Sequence, residues 1–194
     1  MDLRDAYFVD GVRTWFGKAR SDGFYWTTRA DDMVTKVMME LQKRNPTVPW
    51  NEVDDCIWGA TTQVGDQGTT MGRTVVFTAG LSDKVAGFSV DRMCAGGMTC
   101  QAIGSSFIKT GVADIIIAGG VEHMGHHPMG AGADPNPRIV TEKMVEPKYF
   151  NMGVTAEKLH DWLVENGEQP VTKDEADEYA YLVTKRYFKA LDEG

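Results

Sequence analysis

The sequence is short of cysteine, of positive charge and of long apolar runs, and each shortage excludes something. Its three cysteines, Cys56, Cys94 and Cys100, are an odd number without framework spacing. That excludes a disulfide-stapled scaffold and fits a reducing cytoplasm. Lys and Arg number 20 against 28 Asp and Glu, a net charge of −8. An acidic chain of this kind argues against a nucleic-acid or anionic-membrane surface. No stretch is apolar for long enough to cross a bilayer. The opening Met1-Asp2-Leu3-Arg4-Asp5 is charged, so no signal peptide is expected. No internal repeat or low-complexity segment occurs. With 42% apolar and 10% aromatic residues over 194 positions, the chain has the means to bury a core.

Charge is also missing locally. From Met93 to Ile108 there is no charged residue, and a helix without a charged face is expected to be buried. Lys109 and Gly111 then supply a cation for the last turn and a stop. Ala86–Val90 reads as a strand, so Cys94 falls where a strand turns into a helix. Amide groups at a helix N-terminus stabilise a thiolate. Gly96 and Gly97 weaken the helix but leave room beside the sulfur. On spacing alone, packing is the commoner fate of a free cysteine.

In chain order, Ala6–Val9 is a strand candidate, followed by an aromatic loop holding Trp15, Phe16, Phe24, Tyr25 and Trp26. A helix is expected over 29–44, with Thr28 and Asp31 as a capping box and Ala30, Met33, Val34, Val37, Met38 and Leu41 on one face. A strand follows over 54–58, then a helix over 69–79, the strand 86–90, the Cys94 helix, and the β-branched run 114–120. Alternation of this kind gives a βαβαβαβ series and a parallel α/β sheet. Ligands of such sheets bind beyond the carboxyl ends of the strands, where Cys94 and Gly119-Gly120 both fall. Composition shifts after Val121 towards Gly, Pro and His, which sets a boundary between 1–121 and 122–194. Helices are expected over 154–166 and after Thr172, the latter opened by a Thr172/Glu175 capping box.

His123, His126 and His127 have the spacing of helical metal ligands. Gly125 and Pro128 disfavour a helix there, and no carboxylate or cysteine stands at ligand spacing beside them, so no metal site is expected. They read as loop histidines that shape a site, with Glu122 orienting the loop. Gly119-Gly120 lacks the partners of a phosphate loop.

Val90-Asp91-Arg92-Met93-Cys94-Ala95-Gly96-Gly97-Met98 resembles the nucleophile segment of the thiolases, and Ala118-Gly119-Gly120-Val121-Glu122-His123-Met124-Gly125-His126 resembles the glycine-rich segment that follows it. Arg29-Ala30-Asp31-Asp32, Trp58-Gly59, Gln67-Gly68 and 151–157 extend the likeness over nearly the whole chain. Val121-Glu122-His123-Met124-Gly125-His126 followed by Pro128-Met129 resembles the 3-ketoacyl-CoA thiolases of bacterial fatty-acid β-oxidation more than the biosynthetic acetoacetyl-CoA branch. Departures are Asp91 for an asparagine, Ala95-Gly96-Gly97 for a Gly/Ser run, and Asn151 for a histidine of the biosynthetic branch.

The resemblance implies one half of a five-layer αβαβα fold, with a mostly parallel sheet and part of a helical loop domain. It implies that Cys94 takes the acyl group and that its own amide helps hold the oxyanion. Met152, Asn151, Met124 and His126 are implied to line the substrate site. Coenzyme A would be substrate, with no separate cofactor. Partners would be acyl-CoA, CoA, and a homo-oligomer or a C-terminal thiolase half. That second half normally brings a Gly-His-Pro histidine and a Cys-x-Gly-Gly-Gly cysteine, and neither motif occurs here. The expected activity is thiolytic cleavage of 3-ketoacyl-CoA once the C-terminal half is supplied. The alternatives are an acetoacetyl-CoA or sterol-carrier-type thiolase, and a non-catalytic acyl-CoA-binding or assembly subunit.

Overall fold

Three short strands carry the fold: β1 (Asp55–Gly59), β2 (Ala86–Val90) and β3 (Ile116–Gly120). All are parallel, in the order β2-β1-β3, with Gly59 level with both Val90 and Gly120. Every carboxyl end therefore lies at one edge. The structure is a computed structural model and describes residues 3–193. Met1 and Asp2, read above as part of the charged opening, and Gly194 lie outside that range.

The helices of the first part are α1 (Ala30–Arg44), α2 (Met71–Thr78) and α3 (Gly96–Thr110). Side chains alternate across a strand. Cys56, Trp58 and Ile117 point one way, into a core with Ala30, Val34 and Met38 of α1 and Met71, Val75 and Val76 of α2. The opposite face meets α3. A Cβ on Gly104 would lie 2.7 Å from Ile116 Cγ2, so only glycine lets the helix sit this close to β3. The α/β class and the parallel sheet follow expectation.

Four local expectations are corrected. Ala6–Val9 is not a strand. Tyr7, Phe8 and Val9 are exposed, and a gap of about 320 Å³ separates residues 6–10 from β3. The segment is tethered before it instead: the Arg4 guanidinium donates to the carbonyls of Ile108 and Ala113 and pairs with Asp114. The Thr28/Asp31 capping box does not form, because Arg29 takes the Asp31 carboxylate with two nitrogens. Asp66 caps α1 instead, accepting the Ala30 N–H at 2.9 Å. Helix α2 starts at Met71 because Thr69 and Thr70 are left-handed, with φ of 51° and 58°. Finally, α3 buries only Gly96, Cys100 and Gly104; Met98 is 72% exposed. Its uncharged outer face has no cover among the described residues.

The chain divides into two compact units, Met1–Ala133 and Asp134–Gly194. The expected boundary after Val121 falls inside the first unit. Glu122 accepts hydrogen bonds from the Thr61 amide and the Gln67 side chain, and His126 and His127 both bind Asp66, so the loop belongs with the sheet. The second unit holds α4 (Arg138–Thr141), α5 (Met152–Glu165) and α6 (Lys173–Glu193). The Thr172/Glu175 capping box forms as read, with Glu175 accepting the Thr172 N–H and donating its own to Thr172 Oγ1. No residue of α5 or α6 is buried.

Candidate active site

Strand β2 ends at Val90, and a single 3₁₀ turn, Met93–Ala95, joins it to α3. Cys94 is the middle residue of that turn. The α-helix proper begins only at Gly96, so the expected helix opening at Cys94 is replaced by a tighter turn. Met93 explains the break: its φ is +48°, a left-handed conformation that costs a side-chain-bearing residue of order 1–3 kcal/mol. The Asp91 carboxylate offsets part of this by accepting the Met93 N–H at 3.0 Å.

Glycines let the turn press onto the strand ends. A Cβ on Gly59 would lie 2.5 Å from the carbonyl carbon of Gly96 and 2.8 Å from the Gly97 nitrogen. A Cβ on Gly120 would lie 3.2 Å from Gly97 Cα. Backbone thus rests on backbone, and the Cys94 turn sits over the carboxyl edge. Cys94 is exposed, while Cys56 and Cys100 are buried. Burial pushes the Cys56 thiol up to about 12 and raises that of Cys100 as well. Among the described residues, no protein oxygen accepts the Cys94 N–H, which leaves it open to a ligand oxygen.

The other expected site residues belong to both units. Met124 lines a cavity of about 580 Å³ bounded by α1, the end of β3 and residues 12–19, a space Cys94 does not line. Asn151 is the N-cap of α5, its Oδ1 accepting the amides of Gly153 and Val154 at 2.9 and 3.3 Å. Met152 is the exposed first residue of that helix. Both belong to the second unit.

His126 holds both ring nitrogens against protein groups. Its Nε2 lies 2.6 Å from the Trp26 carbonyl and its Nδ1 2.9 Å from Asp66 Oδ2. The Trp26 carbonyl and the Asp66 carboxylate raise its pKa. His127 Nε2 binds the other Asp66 oxygen. Burial pushes the Asp66 carboxyl up, but hydrogen bonds from His127, the Ala30 amide and His126 outweigh it and hold the group far below the usual carboxylate range. The donor atoms of Asp66, His126 and His127 lie within 4.8 Å of one another, a grouping able to hold a metal ion. The reading against metal ligation looked for a carboxylate beside the histidines in sequence; Asp66 comes from the loop after β1.

Sequence reasoning also missed the role of Gln67. It is fully buried, donates to the Thr62 carbonyl at 2.8 Å and Glu122 at 2.9 Å, and accepts the His123 amide. Only its place beside Gly68 in a family-like segment hinted at it.

Comparison with known proteins bears on the whole chain. The thiolase N-terminal domain family matches residues 6–194. The 3-ketoacyl-CoA thiolase of Idiomarina loihiensis is 35% identical over 99% of this chain and 47% of its own length. That of Acinetobacter baumannii strain AYE is 38% identical over 100% of this chain and 47% of its own. The crystal structure of the Bacillus anthracis acetyl-CoA acetyltransferase superposes with a TM-score of 0.58 at 28% identity, covering 64% of this chain and 30% of that one. The chain thus spans about half the length of the curated relatives it matches. A match running from residue 6 to the last residue takes in both units, and the chain belongs to the thiolase family through that family's N-terminal domain.

Proposed function

We propose that this chain is the nucleophile-bearing part of an acyl-CoA acyltransferase that cleaves 3-ketoacyl-CoA by thiolysis. The observation that carries the reading is an exposed Cys94 on a strained turn at the carboxyl edge of a parallel sheet, in a chain whose other cysteines are buried. The Cys94 thiolate adds to the 3-keto carbon. The bond between C2 and C3 breaks, its electron pair leaves with acetyl-CoA as an enolate, and a proton quenches it. The acyl group stays on Sγ as a thioester. A CoA thiolate then attacks that thioester, releasing the shortened acyl-CoA and the cysteine. The open Cys94 amide is read as one oxyanion donor.

Both steps need a base. The loop histidines do not supply it: His123 and His126 hold their ring nitrogens against Tyr25, Trp26, Asp66 and a backbone amide, and His127 is turned onto Asp66. The base is assigned to a C-terminal thiolase half, and the uncovered outer face of α3 supports such a partner. By resemblance, Met152, Asn151 and Met124 contact the acyl chain in the assembled enzyme, which works as a homo-oligomer in a reducing cytoplasm on fatty-acid β-oxidation substrates. No cofactor beyond CoA as substrate is invoked.

The test is reconstitution. Alone, the chain is expected to leave acetoacetyl-CoA intact. Joined to or mixed with a C-terminal half carrying the Gly-His-Pro and Cys-x-Gly-Gly-Gly segments, it cleaves the substrate in a CoA-dependent way. Binding of acyl-CoA without any turnover in the reconstituted protein would instead favour a non-catalytic subunit.

A further inference from the structure

We propose that Asp66, His126 and His127 form a structural binding site for a divalent transition-metal ion of the zinc class, separate from the Cys94 turn. Two imidazole nitrogens and a carboxylate are a donor set zinc favours, whereas calcium and magnesium prefer oxygen alone. The three side chains are 7%, 25% and 11% exposed for Asp66, His126 and His127, so the site is largely withdrawn from solvent. Their donor atoms already converge within 4.8 Å.

The convergence of three largely withdrawn donor atoms carries the argument, and the hydrogen-bond inventory of His126 is compatible with it. Its Nε2 lies 2.6 Å from a carbonyl oxygen, an acceptor only, so Nε2 carries a hydrogen. In the neutral ring Nδ1 then presents a bare lone pair. That lone pair faces a carboxylate oxygen at 2.9 Å, an arrangement that needs a positive charge between them. Either a proton on Nδ1 or a metal ion bound by both groups supplies it, and the three converging donor atoms offer the ion its place. The Trp26 carbonyl then fills the outer position that fixes a ligand histidine's tautomer and ring orientation.

The surroundings are built to hold these groups. Asp66 Oδ2 also accepts the Ala30 amide at 2.9 Å, which orients the carboxylate. The His126 amide donates to His123 Nδ1 at 3.1 Å, and the His123 ring stacks on the His126 ring at 3.8 Å. His127 lies against Gly65, where φ is +54° and a Cβ would come within 2.6 Å of its Cε1. The ion ties the loop after β1 to the loop after β3, with the Trp26 carbonyl as a further strut. Three protein ligands leave a position for solvent.

The full chain carrying Cys94→Ser, which removes the exposed thiol as a competing ligand, is stripped with a chelator and titrated with zinc by calorimetry. The cobalt form is followed by visible absorption. One ion per chain is expected, with the cobalt spectrum of a four-coordinate nitrogen–oxygen site. His127→Gln and His126→Gln should each weaken binding more than about tenfold. Circular dichroism checks that the variants stay folded, and zinc should raise the melting temperature of the parent but not of the variants. Absence of saturable binding by the parent, or equal binding by parent and both variants, overturns the proposal and leaves a metal-free cluster with a charged His126.

Discussion

Asp91 and Met93 are joined by a hydrogen bond of 3.0 Å from the Met93 amide to the Asp91 carboxylate, and the residue that follows is Cys94. The bond pins a left-handed residue that sets where the sulfur emerges. Asparagine offers the same acceptor oxygen, so Asp91→Asn should keep acyl transfer in the assembled enzyme, while Asp91→Ala should slow it about tenfold. Brief iodoacetamide treatment of the folded chain should label Cys94 alone. Cys56, with its thiol near 12, and buried Cys100 should react only after unfolding. Native-state labelling of either one would show that the turn is not the reactive place.

The backbone contact between Gly59 and Gly96 makes a sharper stability prediction. Gly59→Ala drives a Cβ to 2.5 Å from backbone, which cannot give way as a side-chain tip can, and should cost about 2–3 kcal/mol in urea unfolding. Gly97→Ala meets nothing nearer than 3.8 Å and gains helix propensity, so it should be neutral or stabilise by up to ~1 kcal/mol. Equal effects would mean that α3 does not rest on β1 as described.

The start of α1 separates a local cap from a long-range one. With chelator present, so that no metal contributes, Asp66→Ala removes the acceptor of the Ala30 amide and should cost about 1–2 kcal/mol. Thr28→Ala, at the position where sequence alone puts the cap, should change stability by no more than ~0.5 kcal/mol. Thermal or urea unfolding of the two variants decides between them; a larger loss in Thr28→Ala would restore the local cap.

What the sequence disclosed and what it hid follow from the range of the forces involved. Strand β2 over Ala86–Val90 and the Thr172/Glu175 box were legible because their determinants lie within a few residues. So was Cys94 at the sheet edge, since a strand–turn–helix passage with glycines leaves a local mark. Thr28 failed as a cap because its competitor, Asp66, is 36 residues from Ala30. Ala6–Val9 has strand composition, but pairing needs a partner edge, and β3 lies across a gap. The uncharged α3 pattern did signal burial, yet burial needs covering surface that the described residues do not provide. The Asp66–His126–His127 cluster was invisible for the same reason as the cap: its carboxylate is 60 residues from the nearer histidine.

The most direct measurement locates the acyl group. The chain, reconstituted with a C-terminal thiolase half, is mixed with acetoacetyl-CoA, quenched in acid and mapped by peptide mass spectrometry. Acetyl on the Cys94 peptide, discharged when CoA is added and absent in Cys94→Ala, is the predicted result. Cleavage of acetoacetyl-CoA that persists in Cys94→Ala, or acetyl found only on another residue, would contradict the assignment of Cys94 as the nucleophile.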